Sequence, residues 1–163
     1  MRFLLAVLLS ACTPVFGDAP EAATSSVCPT GYAPEATREA RLLGVLASAQ
    51  AMDAAVLPIP PDLARRVAPV CFGPARSLGV LAGERVVLRA SASDEELAAR
   101  LAHLAVHLED GIGDGCARGL AAALASEKRA RGVEDALRVR LALPPAPEER
   151  GETERDYARR CTR

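Results

Sequence analysis

SDEELAARLAHLAVHLE, residues 93–109, predicts the clearest helix of this chain. Ser93 and Glu96 have the spacing of a capping box, in which each side chain satisfies a backbone N–H at the start of a helix. Leucines then recur at helical spacing and predict one buried stripe, formed by Leu97, Leu101, Leu104 and Leu108. Glycines that cannot extend a stable helix follow at Gly111, Gly113 and Gly115.

The segments on either side of this helix predict a small sheet and further helices. The β-branched run Arg85–Arg89 predicts a strand, and residues 79–83 can pair with it as a hairpin. Pro34 is suited to the first position of a helix over residues 35–56, and three prolines follow that helix. A short helix or turn is expected over residues 62–67, and further helices over residues 116–141 and in a charged tail around Cys161. The expected fold class is therefore mainly α with a small β element (α+β).

Composition narrows the function classes. The 163 residues are half apolar, so residues 28–163 can form a single globular domain with a proper core. The formal net charge is −1 and no basic block is present, which argues against nucleic acid as a partner. Aromatic residues make up 3% of the chain, so the flat platforms that commonly bind sugars are scarce.

The N-terminus has the layout of a secretory signal peptide. Arg2 precedes a short apolar run over residues 3–9, which is far below the about 20 residues that a transmembrane helix needs. Small residues then lead to Cys12 in the sequence Leu9-Ser10-Ala11-Cys12. This sequence resembles the lipobox of bacterial lipoproteins.

That resemblance implies that residues 1–11 are cleaved off and that Cys12 carries the lipid. Residues 12–27, rich in Ala, Pro, Ser and Thr, would then be a flexible tether between membrane and domain. Thr13 follows the cysteine instead of Asp, which implies anchoring in the outer membrane. The alternative is an ordinary signal peptide, cleaved after Gly17, and a soluble protein that is secreted or periplasmic.

Four further cysteines fit an oxidising compartment. Cys28, Cys71, Cys116 and Cys161 are an even number and are too far apart for a zinc knuckle or a Cys-x-x-Cys redox pair. They predict two structural disulfides, and the sequence leaves all three pairings open.

The chemical clue lies in the two histidines of the chain, His103 and His107. They are four residues apart on the best helix, the spacing that helical zinc sites use. The competing interpretation is that they are hydrogen-bonded or solvated residues beside the leucine stripe. Glu127 falls on the apolar side of the next helix and there needs a partner, either a metal or an arginine such as Arg100. Arg100 can also pair with Glu96, four residues before it.

The order of a strand, a helix with paired histidines and a helix with glutamates resembles the minimal gluzincin peptidases of the ImmA/IrrE kind. The resemblance covers residues 71–143. It implies that His103 and His107 bind zinc and that Glu127, or Glu134 in its place, is the third ligand. Leu104 stands where the family has its general-base glutamate, so peptidase activity is not expected.

We therefore expect a lipid-anchored envelope lipoprotein with a binding or structural role, no catalytic residues and no cofactor. Its partners would be the membrane, through the anchor, and an unknown envelope protein. The main alternative is a zinc-binding, degenerate metallopeptidase-like domain. A third possibility is an adaptor that binds an extended peptide along an open edge of the strand at Arg85–Arg89.

Overall fold

The computed structural model of the chain describes residues 28–52, 59, 62–67, 69–83, 85–112, 118–146, 158–159 and 161. The predicted leader, Cys12 and the tether lie outside these residues. None of the helices in the described part of the chain is long and apolar enough to cross a membrane.

The architecture is mainly helical with one small sheet, as predicted. In chain order the elements are β1 (Ala33–Pro34), α1 (Ala36–Met52), α2 (Leu63–Val67), β2 (Cys71–Gly73), β3 (Gly79–Ala82), β4 (Arg85–Arg89), α3 (Asp94–Glu109) and α4 (Leu120–Arg140). The tail is helical at Ala158, Arg159 and Cys161.

The four strands form a sheet in the order β1-β2-β4-β3. The predicted hairpin is confirmed, since β3 pairs with β4 in antiparallel fashion. On its other side β4 pairs in parallel with β2, with Phe72 opposite Leu88. Both edges of β4 are therefore occupied, and the prediction that a peptide binds along this strand is wrong.

Two predicted helix starts are wrong, each for a local reason. Pro34 belongs to β1, and α1 begins two residues later, at Ala36. The last helix begins at Leu120, because Gly119 takes a φ of 83°, a left-handed conformation that interrupts a helix. The two predicted helices also included residues 53–56 and 116–117, which lie outside the described residues.

The helix α3 lies at the centre of the molecule. The predicted capping box of Ser93 and Glu96 is present at its start. The helix packs against α1, α4 and the sheet, and eleven consecutive residues from Leu97 to His107 are buried. Small alanines on several faces let its neighbours approach closely, so the burial extends well beyond the leucine stripe.

Ionic contacts fix α1 to the start of α3. Arg38 and Arg41 donate to the two carboxylate oxygens of Asp94 at 2.9 and 2.7 Å. The hydrogen bonds from Arg41 and Arg38 outweigh partial burial and hold the pKa of Asp94 below its usual range.

The predicted disulfide framework is confirmed for one pair. Cys28 and Cys71 form a disulfide that ties the start of the domain to β2. Cys161 is disulfide-bonded too, and it packs beside Ile112 and Ala123 near the start of α4. Cys116 lies outside the described residues.

Candidate metal centre

Helices α3 and α4 build the candidate site between them. His103 and His107 lie one turn apart on α3, and their exposed fractions are 1% and 7%. The interpretation of these histidines as solvated is therefore wrong, whereas the alternative that they are hydrogen-bonded fits the contacts of their ring nitrogens. Glu127 projects from α4 towards them and is 5% exposed.

Three ligand atoms converge at this point. His107 Nε2 lies 3.1 Å from His103 Nε2 and 3.1 Å from Glu127 Oε2, and His103 Nε2 lies 3.6 Å from the same oxygen. Zinc binds nitrogen and oxygen tetrahedrally at about 2.0–2.2 Å, which places neighbouring ligand atoms about 3.3–3.5 Å apart. Two of the three separations are slightly shorter than this range, at hydrogen-bond length, so the atoms would move apart by a few tenths of an ångström to hold one zinc ion. The structure brings together the predicted ligands His103, His107 and Glu127.

The outward ring nitrogens have partners of their own. Nδ1 of His107 lies 2.9 Å from the hydroxyl of Ser126. Nδ1 of His103 lies 2.9 Å from Oε2 of Glu134, although the ring N–H does not point straight at that oxygen. Glu134, the alternative third ligand, therefore lies on the far side of the His103 ring from the three converging atoms.

Arginines surround the two carboxylates. Arg131 donates to Oε1 of Glu127, which leaves Oε2 facing the histidines. Arg100 donates from Nε to the carbonyl of Gly79 at 3.0 Å, and its Nη1 lies 3.4 Å from Glu134. Arg100 is thus directed into the core. Glu96 instead forms the capping box with Ser93.

Protonation of the site follows from these contacts. Burial by itself would lower the pKa of His103, but the carboxylates of Glu127 and Glu134 outweigh it and raise that pKa. Burial would also raise the pKa of both carboxyls, yet the pKa of each is lowered by contacts with His103 and with neighbouring cationic side chains. Both carboxylates are therefore ionised at neutral pH, the form that binds a metal.

Leu104, which directly follows His103, is buried and apolar. Leu104 is 3% exposed and packs towards Gly79 of β3, where a Cβ added to the glycine would lie 3.2 Å from Leu104 Cδ1. A carboxylate at this position would point into the core of the protein.

A cavity of about 310 Å³ adjoins the site. Ser126, whose hydroxyl contacts His107, forms part of its wall, together with Ile112, Arg118 and Arg129. The three candidate ligands themselves do not line this cavity.

Sequence reasoning missed Ser126 and Arg131, and it gave Glu134 a different role. The spacing of residues on α4 could have indicated two of these contacts. Arg131 follows Glu127 by four residues and Glu134 follows it by seven, so all three share one face of the helix. Comparison with known protein families, with curated proteins and with solved structures gave no match for this chain.

Proposed function

We propose that this chain is a zinc-binding lipoprotein of the bacterial envelope that lacks peptidase activity. The observation that supports it most strongly is that two imidazole nitrogens and one carboxylate oxygen converge, with separations of 3.1, 3.1 and 3.6 Å. The leader and Leu9-Ser10-Ala11-Cys12 support the envelope location and the lipid anchor.

The donor set favours zinc among the common metals. Calcium and magnesium prefer oxygen ligands, whereas two imidazoles with one carboxylate suit zinc. The three ligands are at least nine-tenths buried and are ordered by contacts at their other atoms. Binding the ion would still require His103 to lose the proton that the two carboxylates favour on it, since a metal binds the neutral imidazole.

A binding role without hydrolysis follows from Leu104. A positioned general base contributes typically about 10²–10⁴-fold to a reaction rate, and a leucine cannot accept a proton. Peptide hydrolysis by the purified zinc-loaded protein, lost on His103→Ala, would contradict this part of the proposal.

The test of the metal site is the zinc content of the full chain. The protein is exported with its own leader so that disulfides form, purified without chelators or a histidine tag, and measured by elemental analysis. We expect about one zinc ion per chain. Less than about a tenth of an ion per chain after exposure to zinc would refute the site.

Glu127→Gln is the sharpest variant, because it removes the ligand charge while the shape of the side chain stays nearly the same. It should lose most of the zinc. Glu95→Gln is the matched control, since Glu95 is an exposed glutamate at the start of the neighbouring helix α3. Equal zinc in both variants would mean that the metal binds elsewhere.

The lipid anchor is tested separately. Cys12→Ser should abolish incorporation of labelled palmitate and release the protein from the membrane fraction. An unlabelled parent chain that begins after Gly17 would instead show an ordinary secreted or periplasmic protein.

A further inference from the structure

Glu134 is a buried carboxylate that the proposed zinc site does not use as a ligand. It is 3% exposed and lies on α4, two turns after Glu127. Its Oε2 faces Nδ1 of His103 at 2.9 Å, while Nε2 of the same ring faces Glu127 and His107. The two ring nitrogens of an imidazole point in diverging directions, so Glu134 cannot share a metal ion held at Nε2.

We propose, on the basis of the zinc site proposed above, that Glu134 is a positioning residue. It holds His103 in the tautomer that carries its proton on Nδ1 and leaves the lone pair of Nε2 free for the metal. Carboxylates and carbonyls that accept from the outer nitrogen of a metal-binding histidine fix the ring in this way elsewhere, and their loss costs about 10–100-fold in metal affinity.

Two buried arginines keep Glu134 in its ionised form. Arg100 Nη1 lies 3.4 Å from Oε2, and Arg138 Nη1 lies 3.8 Å from Oε1. These arginines are 5% and 2% exposed, and a guanidinium stays charged in proteins, so they require an anion beside them. An ionised carboxylate can only accept hydrogen bonds. A proton on the ring nitrogen that faces it, Nδ1 of His103, is therefore the arrangement that this carboxylate favours, although the N–H is not aimed straight at Oε2.

His107 provides an internal comparison. Its Nδ1 faces the hydroxyl of Ser126, which can donate or accept and so does not by itself select a tautomer, while its Nε2 faces the carboxylate of Glu127 at 3.1 Å. The charged partner at His103 should therefore matter more for zinc binding than the neutral partner at His107.

Measurements of zinc affinity distinguish the role of Glu134, which faces His103, from that of Ser126, which faces His107. The full chain, Glu134→Gln, Ser126→Ala and the control Glu95→Gln are titrated with zinc in competition with a chelating dye. We expect Glu134→Gln to bind about 10–100-fold more weakly, Ser126→Ala to lose clearly less, and Glu95→Gln to match the parent. A Glu134→Gln affinity within twofold of the parent would overturn the proposal while the zinc site itself stands.

A measurement on the parent chain alone covers the case in which Glu134→Gln fails to fold. Long-range ¹⁵N–¹H correlation spectra, recorded at alkaline pH where both imidazoles are neutral, identify the tautomer of each histidine. We expect His103 to carry its proton on Nδ1 with zinc absent, a signature that general packing would not produce. A proton on Nε2 of His103 would overturn the proposal. A parent chain that binds no zinc but shows the Nδ1 tautomer would refute only the metal site.

Discussion

Zinc should stabilise the parent chain and leave Glu127→Gln almost unaffected. The three ligand atoms lie 3.1, 3.1 and 3.6 Å apart, so zinc needs to move them by only a few tenths of an ångström. A ligand that binds only the folded state at 100 times its dissociation constant adds about 2.7 kcal/mol to the free energy of unfolding. For a chain of this size about 1 kcal/mol corresponds to about 2–4 °C, so the melting temperature should rise by about 5–11 °C.

The assay is thermal unfolding followed by circular dichroism, in excess zinc and in chelator, without reducing agent. Glu127→Gln should start from a lower melting temperature in chelator, because hydrogen bonds to a charged group contribute about 1.5–3 kcal/mol. Its zinc-dependent rise should stay below about 2 °C, whereas Glu95→Gln should rise as the parent does. Equal zinc-dependent shifts in the parent and in Glu127→Gln would refute the assigned ligand set.

Three further predictions concern the scaffold. Removal of the disulfide in the double variant Cys28→Ala/Cys71→Ala should lower the free energy of unfolding by about 4 kcal/mol in urea titrations, since the bond closes a loop with a sequence separation of 43. A loss under about 1 kcal/mol would contradict a stabilising role of the bond. Asp94→Asn should cost about 1 kcal/mol at neutral pH. The two arginines of α1 lower the pKa of Asp94, so this stabilisation is present above the ordinary pKa of 3.8 and is lost as the pH falls through the pKa of the folded state. The free energies of unfolding of the parent and the variant, measured by urea titration, should therefore converge in acid. A difference that does not change with pH would argue against the ion pairs. Gly79→Ala should cost about 1–3 kcal/mol in the same titration, because its Cβ would lie 2.5 Å from Leu88 Cδ2 in the packed core; no measurable change would show that the core has room at this point.

The elements that sequence reasoning predicted are those encoded by short-range patterns. The capping box at Ser93 and the leucine repeat lie within one segment, so they define α3 without knowledge of the rest of the chain. The strands β1 and β2 have two and three residues, and they pair across a long separation, with Ala33 opposite Phe72. Elements this short carry no periodic signal, and only the tertiary fold makes them strands.

The candidate site divides in the same way. The spacing of His103 and His107 and the placement of Glu127 on the apolar side of α4 follow from helical periodicity alone. Which atom faces which depends on how α3 and α4 rotate about their axes when they pack, and the sequence does not specify that rotation. The roles of Ser126 and Glu134 therefore required the structure.

X-ray absorption at the zinc edge of the zinc-loaded full chain would identify the metal ligands themselves. We expect two imidazole nitrogens and one carboxylate oxygen at about 2.0–2.2 Å in the first coordination shell. Glu127→Gln should not show this shell. Sulfur ligands, a shell of oxygen atoms alone, or an unchanged spectrum for Glu127→Gln would contradict the assigned ligand set.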